Sequence, residues 1–132
     1  MNLIVPQDQA IAAGARPLLA AYTYVLDEGP LMDWPTLFTE SCLYRITTRQ
    51  NEERNMPLSI MLCDNHAMLY DRVMSAQGKL QRWGMQTVCV DGKAQLAPVE
   101  DPAGLDERRR ALNFPPIADY LRTLSPTCPV SK

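Results

Sequence analysis

Apolar side chains recur every three or four residues between Gln7 and Leu26, and this spacing predicts an amphipathic helix. The apolar face consists of Ile11, Ala15, Leu18, Leu19, Tyr22, Val25 and Leu26. Pro17 interrupts the pattern. Because proline is tolerated in the first turn of a helix, we expect the main helix to begin near Pro17, with Ala13–Gly14 as the approach. The turn-forming residues 27–30 end it.

A short second helix and a strand are predicted next. Asp33 is a natural N-cap, and Pro35 suits the first turn that follows it. Polar and apolar residues then alternate from Cys42 to Thr48, which is typical of a half-buried strand. Residues 50–56 are charged and amide-rich and predict a loop, which Pro57 closes. The apolar run 58–62 fits either a strand or the entry to a helix.

A third helix is predicted from His66 to Ala76, with Asp64 or Asn65 as its N-cap. Its inward face should contain Met68, Leu69, Val73 and Ala76. On the same helical spacing, Asp71 and Arg72 are expected to face outward.

The pattern changes in the second half of the chain. Residues 80–90 predict one strand, or two strands joined at Gly84, and Asp91–Gly92 is a strong hairpin signal. From Ala94 to Lys132 proline and charge dominate, so we expect a divergent, partly disordered tail. Within it, residues 106–112 predict a short helix whose arginines, 108–110, face solvent.

Composition narrows the possible functions. The chain has 132 residues, 46% of them hydrophobic, which suits one folded domain. Its net charge of −2 disfavours nucleic acid as a partner. The N-terminal run from Met1 to Val5 is too short for a membrane span and lacks the basic flank of a signal peptide, so we expect a cytoplasmic protein with no membrane partner.

Four cysteines, at positions 42, 63, 89 and 128, are widely spaced and include no C-x-x-C pair. Zinc or iron–sulfur ligation by this chain alone is therefore disfavoured. Four cysteines allow two disulfides, but without a secretion signal we expect them to be reduced. Cys63, in an apolar run, is predicted to be a small core residue.

Several short motifs occur in a characteristic order along the first half. They are Asp27-Glu28-Gly29 with Trp34, Leu37-Phe38-Thr39-Glu40, Tyr44-Arg45-Ile46-Thr47, Asn51 to Arg54, and Asp64 leading to Met68-Leu69 and Asp71-Arg72-Val73. This ordered set resembles the small (beta) subunits of the aromatic-ring-hydroxylating dioxygenases. The resemblance covers rather more than half of the chain and weakens after about Val73.

The resemblance implies an α+β fold like that of nuclear transport factor 2: a cone of N-terminal helices packed on a curved antiparallel sheet. Several strands of that sheet are not recognisable here, so the sheet is predicted to be incomplete. We interpret residues 1–77 as the helical and first-strand part, 78–93 as strands completing it, and 94–132 as the divergent tail. One hypothesis is a deletion between Gln77 and Gly78 followed by a replaced or frame-shifted tail.

The same resemblance implies a non-catalytic structural subunit of a bacterial oxidoreductase in aromatic catabolism. The Rieske 2Fe-2S cluster and the mononuclear iron are then expected on a large (alpha) subunit, in a mixed hetero-oligomer such as three large plus three small subunits. A reductase, NAD(P)H and dioxygen would serve that complex. The amino-acid sequence of the predicted loop at residues 50–56 suggests a carboxylated aromatic substrate. A third possibility is a degenerate product without a partner.

His66 is the single histidine, so this chain cannot by itself supply two histidines to a facial iron site or a Rieske pair. An alternative function is a small-molecule isomerase or dehydratase of the same fold, in which His66 is a general base oriented by Asp64 or Asp33. A simple helix-start residue is the competing interpretation.

Two further groups of residues are candidate binding surfaces. The charged residues Arg45, Arg49, Glu52 and Arg54 are predicted to contact the large subunit, or else to form a solvated loop. The aromatic residues Tyr22, Trp34 and Tyr44 are predicted to line a ligand pocket, or else to pack in the core.

Overall fold

The computed structural model describes residues 9–56 and 59–129. The chain divides into two compact units, which meet in the sequence between Thr39 and Glu40. Short antiparallel strands and helices are mixed in the second unit, so the predicted α+β class with an incomplete sheet is confirmed. Among the helices of the described residues, none combines the length and apolar character that a membrane crossing requires.

The first unit begins with helix α1 (Gln9–Asp27), followed by a 3₁₀ helix (Leu31–Leu37). The expectation that the helix starts near Pro17 was wrong, because α1 runs through this residue. Proline removes one intrahelical donor, but the alanines on both sides have the highest helix propensity and sustain the helix. The predicted residues Gln7 and Asp8 lie outside the described residues.

Asp33 does not cap the second helix as predicted. The 3₁₀ helix already begins at Leu31, with Pro30 before it, and the N–H of Asp33 donates to the Pro30 carbonyl at 2.8 Å. Trp34 is buried, and its ring meets that of Phe38 edge to face at 5.3 Å. The helix therefore serves mainly to place aromatic side chains in the core of the first unit.

The second unit begins with two antiparallel strands joined by a short helix. Strand β1 (Tyr44–Ile46) pairs with β2 (Met61–Cys63), and helix α2 (Arg49–Glu53) lies between them in sequence. The prediction of a loop here was wrong, because Thr48 accepts a hydrogen bond from the N–H of Asn51 at 3.1 Å. This N-cap satisfies one of the free donors of a helix start.

Helix α3 (His66–Ala76) is confirmed at the predicted positions. Of the two candidate caps, Asn65 is the one used, since its Oδ1 accepts the N–H of Met68 at 2.8 Å. Leu69 and Val73 are buried as expected. The outward orientation of Asp71 was wrong, because this carboxylate is completely buried.

The predicted hairpin signal at Asp91–Gly92 is confirmed. Strands β3 (Thr87–Val90) and β4 (Lys93–Leu96) form an antiparallel pair, and both turn residues have positive φ, as a tight hairpin turn requires. Residues 81–86, predicted to be strand, form a loop instead. At its Gly84 φ is +66°, and an added Cβ would lie 3.0 Å from the Leu96 side chain.

Helices α4 (Leu105–Ala111) and α5 (Ile117–Leu124), with 3₁₀ helices at Pro102–Gly104 and Ser125–Thr127, follow the hairpin. The helix predicted at 106–112 is confirmed within one residue. Most of residues 94–129, predicted as a partly disordered tail, thus has defined secondary structure; residues 130–132 lie outside the described residues. The predicted boundaries at 77 and 93 stay predictions.

A disulfide joins Cys89 of β3 to Cys128 after the last 3₁₀ helix, 39 residues apart in sequence. The expectation of reduced cysteines was therefore wrong for this pair. Cys42 and Cys63 are free thiols, and Cys63 is buried as predicted. Burial raises the pKa of the Cys63 thiol, and the nearby Arg72 opposes this rise.

Replacing Cys89 and Cys128 together by serine should lower the free energy of unfolding by about 2–4 kcal/mol, because the cross-link restricts a long loop of the unfolded chain. Urea unfolding of the oxidised protein and of the double variant measures the difference. The Cys42→Ser variant is the matched control and should change stability by less than about 1 kcal/mol. Equal stability of the double variant and the unaltered protein would contradict a structural disulfide.

Candidate functional site

The loop of residues 81–86 is held by a buried carboxylate of helix α3. Oδ1 of Asp71 accepts the N–H of Arg82 at 2.7 Å, and Oδ2 accepts those of Trp83 and Met85 at 3.0 Å each. Asp71 has no exposed surface. Burial raises the pKa of Asp71, while the hydrogen bonds from Met85, Arg82 and Trp83 work in the opposite direction. The carboxylate thus acts as a cap for a segment without regular secondary structure.

Arg109 of α4 holds the same loop from another side. Its Nη1 donates to the Trp83 carbonyl and its Nε to the Pro115 carbonyl, both at 2.7 Å. The guanidinium lies 5.8 Å from the centre of the Phe114 ring and 4.8 Å from that of Tyr120. Arg109 is completely buried, and burial lowers its pKa. The prediction that this arginine faces solvent was wrong.

Two neutral side chains complete the support of the loop. The amide of Gln81 donates to the carbonyls of Gln86 and Ala97 at 2.9 and 2.8 Å, and it accepts the N–H of Gln86 at 2.8 Å. The hydroxyl of Tyr120 donates to the Met85 carbonyl at 3.1 Å. Side chains from three helices and from the loop itself therefore satisfy its buried main-chain groups, which fixes the loop in one conformation.

An open cleft of about 400 Å³ lies beside this loop; we call it the His66 cleft. It is lined by Glu40, Asn65, His66, Ala67, Trp83, Leu112 and Phe114. His66 occupies the first position of α3, and its N–H donates to the Glu40 carbonyl at 3.3 Å. Within residues 9–56 and 59–129, no protein group hydrogen-bonds to its imidazole. The ring is therefore available to a ligand in the cleft.

Asp64 does not hydrogen-bond to His66 as the general-base hypothesis requires. Its Oδ1 accepts from the Asn65 side chain at 2.7 Å. Asp33 belongs to the other compact unit. The carboxylate that lines the cleft with His66 is instead that of Glu40. The catalytic role of His66 with Asp64 stays a prediction.

The predicted interface residues lie on β1 and α2, where they are exposed and partly paired. Arg45 contacts Glu52 at 2.5 Å, and Arg49 contacts Glu53 at 2.7 Å. Arg54 follows as the C-cap of α2. The structure thus gathers the predicted charges on one β1–α2 segment. Ion pairs this exposed contribute little to stability, so stability alone does not account for them.

An apolar patch adjoins these charges. In the strand register Arg45 lies opposite Leu62, so the two side chains share one face of the sheet. Alternation along each strand places Leu43 and Ile60 on that face as well. Leu43 and Ile60 are each 68% exposed, and Leu62 is 49% exposed. We call these four residues the β1–β2 face.

The aromatic residues predicted to line a pocket are divided between the units. Tyr22 and Trp34 belong to the first unit, where each meets Phe38 edge to face. Tyr44 is part of β1 in the second unit. The contacts of Tyr22 and Trp34 fit the core-packing interpretation.

Among the residues that the structure describes, no group of three or more histidine, cysteine, aspartate or glutamate side chains could hold a metal ion. Sequence reasoning missed Asp71, Gln81, Trp83 and Arg109 as parts of a site. No local signal marks them, because their partners lie 5 to 26 residues away in the chain.

Comparison with known proteins gives two different results for this chain. A family model described as a family of unknown function (DUF6624) matches residues 59–130. Shorter matches connect the chain to small subunits of aromatic dioxygenases. The small subunit of anthranilate 1,2-dioxygenase from Burkholderia cepacia is 44% identical over 50 residues, which are 38% of this chain and 31% of that protein.

Two further relatives are the beta 1 and beta 2 subunits of the terephthalate 1,2-dioxygenase terminal oxygenase component from Comamonas sp. They are 37% and 35% identical over 54 residues, 41% of this chain and 35% of each relative. The chain therefore spans about a third of the length of the curated relatives it matches. Part of the chain is similar to dioxygenase small subunits, as its motifs predicted.

Proposed function

We propose that this chain, which belongs to the family of unknown function DUF6624, is a non-catalytic structural subunit that binds a larger oxygenase subunit. The partial similarity to dioxygenase small subunits supports this proposal. The family match crosses residue 73, where the resemblance weakens, and it includes most of residues 94–132. Because one family match runs through both segments, it favours residues 94–132 as a regular part of the second unit and disfavours a frame-shifted tail.

The observation that carries the proposal is the β1–β2 face. Its apolar side chains Leu43, Ile60 and Leu62 stand exposed on a two-stranded sheet within the described residues. Both strands of this two-stranded sheet are edge strands within the described residues, and edge strands are templates for pairing with another chain. Apolar side chains clustered on an open sheet mark an interaction surface.

The charges beside this face suit a protein partner. Arg45 lies within the β1–β2 face, and its ion pair with Glu52 leaves 37% of the arginine side chain exposed. An arginine with this exposure can form a paired hydrogen bond with a carboxylate of another subunit. An apolar centre with a charged rim is the usual composition of a protein interface.

In this proposal the iron chemistry belongs to the partner. The chain has one histidine, whereas a facial iron site needs two and a Rieske centre needs two. The partner would carry the Rieske 2Fe-2S cluster and the mononuclear iron, and this chain would hold large subunits in register. Breakdown of aromatic compounds is the pathway class that the dioxygenase relatives suggest for the complex.

Replacing Leu62 by lysine should strongly reduce co-elution with the partner, because it places a charge in the centre of the β1–β2 face. The experiment co-expresses this chain with a large oxygenase subunit that carries Rieske ligands and separates the products by size-exclusion chromatography. We expect the unaltered chain to co-elute with the large subunit and the Leu62→Lys variant to lose at least about tenfold in affinity.

The matched control is Val88→Lys, a strand residue of the other sheet that is 51% exposed. This variant should co-elute like the unaltered chain. Failure of the unaltered chain to co-elute, or equal loss in both variants, would contradict binding through the β1–β2 face.

A second candidate function is a small-molecule isomerase or dehydratase that uses His66, and the open His66 cleft favours it. In this mechanism the imidazole removes a proton from the substrate. His66→Ala separates the two candidates. In the reconstituted complex, unchanged ring hydroxylation supports the structural subunit, while loss of turnover with an intact complex supports catalysis by His66.

A further inference from the structure

The walls of the His66 cleft contact two completely buried charged residues of the second unit, Asp71 and Arg109. The main-chain N–H of Trp83 donates to Asp71 at 3.0 Å, and its carbonyl accepts from Arg109 at 2.7 Å. Each of the two polar main-chain groups of Trp83 is therefore bonded to one of the buried side chains. Phe114 donates its N–H to the Arg109 carbonyl at 3.0 Å, and its ring lies against the Arg109 guanidinium. Two aromatic walls thus have a common support.

Stability alone is a weak reason for this arrangement. Burying charges has a large desolvation cost, and well-packed apolar side chains of similar size often give equal or greater stability. In addition, Nη2 of Arg109 is buried without a hydrogen-bond partner within the described residues. A polar support of this cost that fixes a half-buried aromatic side chain at the edge of a cleft is typical of a preorganised binding site.

The lining residues define the chemistry of a ligand. Ala67, Trp83, Leu112 and Phe114 provide an apolar surface suited to a ring. The side-chain oxygen of Asn65 accepts the Met68 N–H, and its side-chain nitrogen donates to Asp64. The ionisable side chains of the lining are Glu40 and His66, and neither has a side-chain partner among the described residues.

The charge of the lining residues indicates which class of ring-bearing ligand fits the cleft. Among the described residues that line the cleft, Glu40 is the one that is formally charged, and it is negative. The faces of aromatic rings, such as those of Trp83 and Phe114 in the lining, attract cations. An imidazole in its neutral form offers one acceptor nitrogen to an N–H donor. We infer that the His66 cleft binds a small aromatic molecule that carries a protonated amine.

This site is separate from the β1–β2 face, so it stands or falls independently of the proposed subunit role. The probe is benzylamine, with benzyl alcohol and benzoate as neutral and anionic counterparts of similar size. Nuclear magnetic resonance of the ¹⁵N-labelled full chain follows the two indole N–H signals, of which that of Trp83 lies at the cleft and that of Trp34 belongs to the other unit.

We expect benzylamine to shift the Trp83 signal with a Kd on the order of 1 mM, as its small size allows. The Trp34 signal should stay in place, and benzyl alcohol and benzoate should each bind at least about fivefold more weakly. Glu40→Gln should weaken benzylamine binding about fivefold, because it removes the charge and keeps the shape. The matched control Glu28→Gln, at an exposed glutamate of the first unit, should bind like the unaltered chain.

Three results would overturn the inference: no shift of the Trp83 signal at about 20 mM benzylamine, binding of benzoate as tight as that of benzylamine, or equal effects of Glu40→Gln and Glu28→Gln. Both variants alter exposed side chains, so the chain should remain folded in each. The unchanged dispersion of the spectrum checks this directly.

Discussion

Replacing Asp71 by alanine should lower the free energy of unfolding by about 4 kcal/mol, because removal of a buried charged partner leaves its hydrogen-bonding groups uncompensated. Three N–H groups, those of Arg82, Trp83 and Met85, lose their acceptor at once. Water does not replace it readily, since Asp71 has no exposed surface. Urea unfolding followed by circular dichroism measures the loss.

Asp71→Asn should lie between alanine and the unaltered protein, since the amide keeps one acceptor oxygen and turns a donor toward the remaining N–H groups. Asp119→Ala is the matched control. Asp119 is exposed on α5 and pairs with Arg122 at 2.9 Å, and such a surface pair contributes about 0–1 kcal/mol. Similar losses for the alanine variants at 71 and 119 would show that Asp71 does not hold the loop.

The second large effect is expected for Arg109→Ala, which should lower the free energy of unfolding by about 3–5 kcal/mol. The change empties the space between the Phe114 and Tyr120 rings and leaves the carbonyls of Trp83 and Pro115 without a donor. Arg109→Lys should recover only part of the loss, because an ammonium group lacks the planar fork that reaches two carbonyls.

Arg110→Ala provides the control for Arg109 on the same helix. Arg110 is 75% exposed and lies 3.5 Å from Glu107, so its loss should cost less than about 1 kcal/mol. Thermal unfolding of the three variants gives the comparison. If Arg110→Ala destabilises the protein as much as Arg109→Ala does, helix α4 rather than the buried guanidinium is responsible.

The two predictions are coupled through Trp83, which contacts both buried charges. The effects of Asp71→Ala and Arg109→Ala should therefore be non-additive, as expected for residues that share a partner. The same coupling connects stability to the His66 cleft: loosening of the 81–86 loop should also weaken benzylamine binding. A variant that remains stable but whose broadened Trp83 signal shows a mobile loop would separate the role in stability from the role in ligand binding.

Local features were predictable where the signal for an element is complete within a few residues. Helix α3 has an N-cap, a helical apolar spacing and a clear end, and it occurs where the sequence places it. The Asp91–Gly92 turn needs two residues with positive φ, which aspartate and glycine tolerate. By contrast, α2 was missed because one Thr48 hydrogen bond decided between a loop and a helix.

The candidate site was only partly predictable. His66 was recognised, since it is the single histidine, but the carboxylate beside it in the cleft is Glu40 rather than Asp64. Trp83 was not predicted as a site residue because its partners at positions 71 and 109 are distant in sequence. The charged residues Arg45, Arg49 and Glu52 were recognised as a group, whereas the apolar half of the β1–β2 face depends on strand pairing.

The sequence by itself determined the α+β class, helix α3, the β3–β4 turn and the limit that one histidine sets on iron ligation. Only the tertiary structure decided which charged residues are buried, that Cys89 meets Cys128, and which side chains line the His66 cleft. The physical reason is the distance along the chain between the residues that interact. Caps, turns and helical spacing are settled between near neighbours, whereas burial is settled by segments that meet only when the chain is folded.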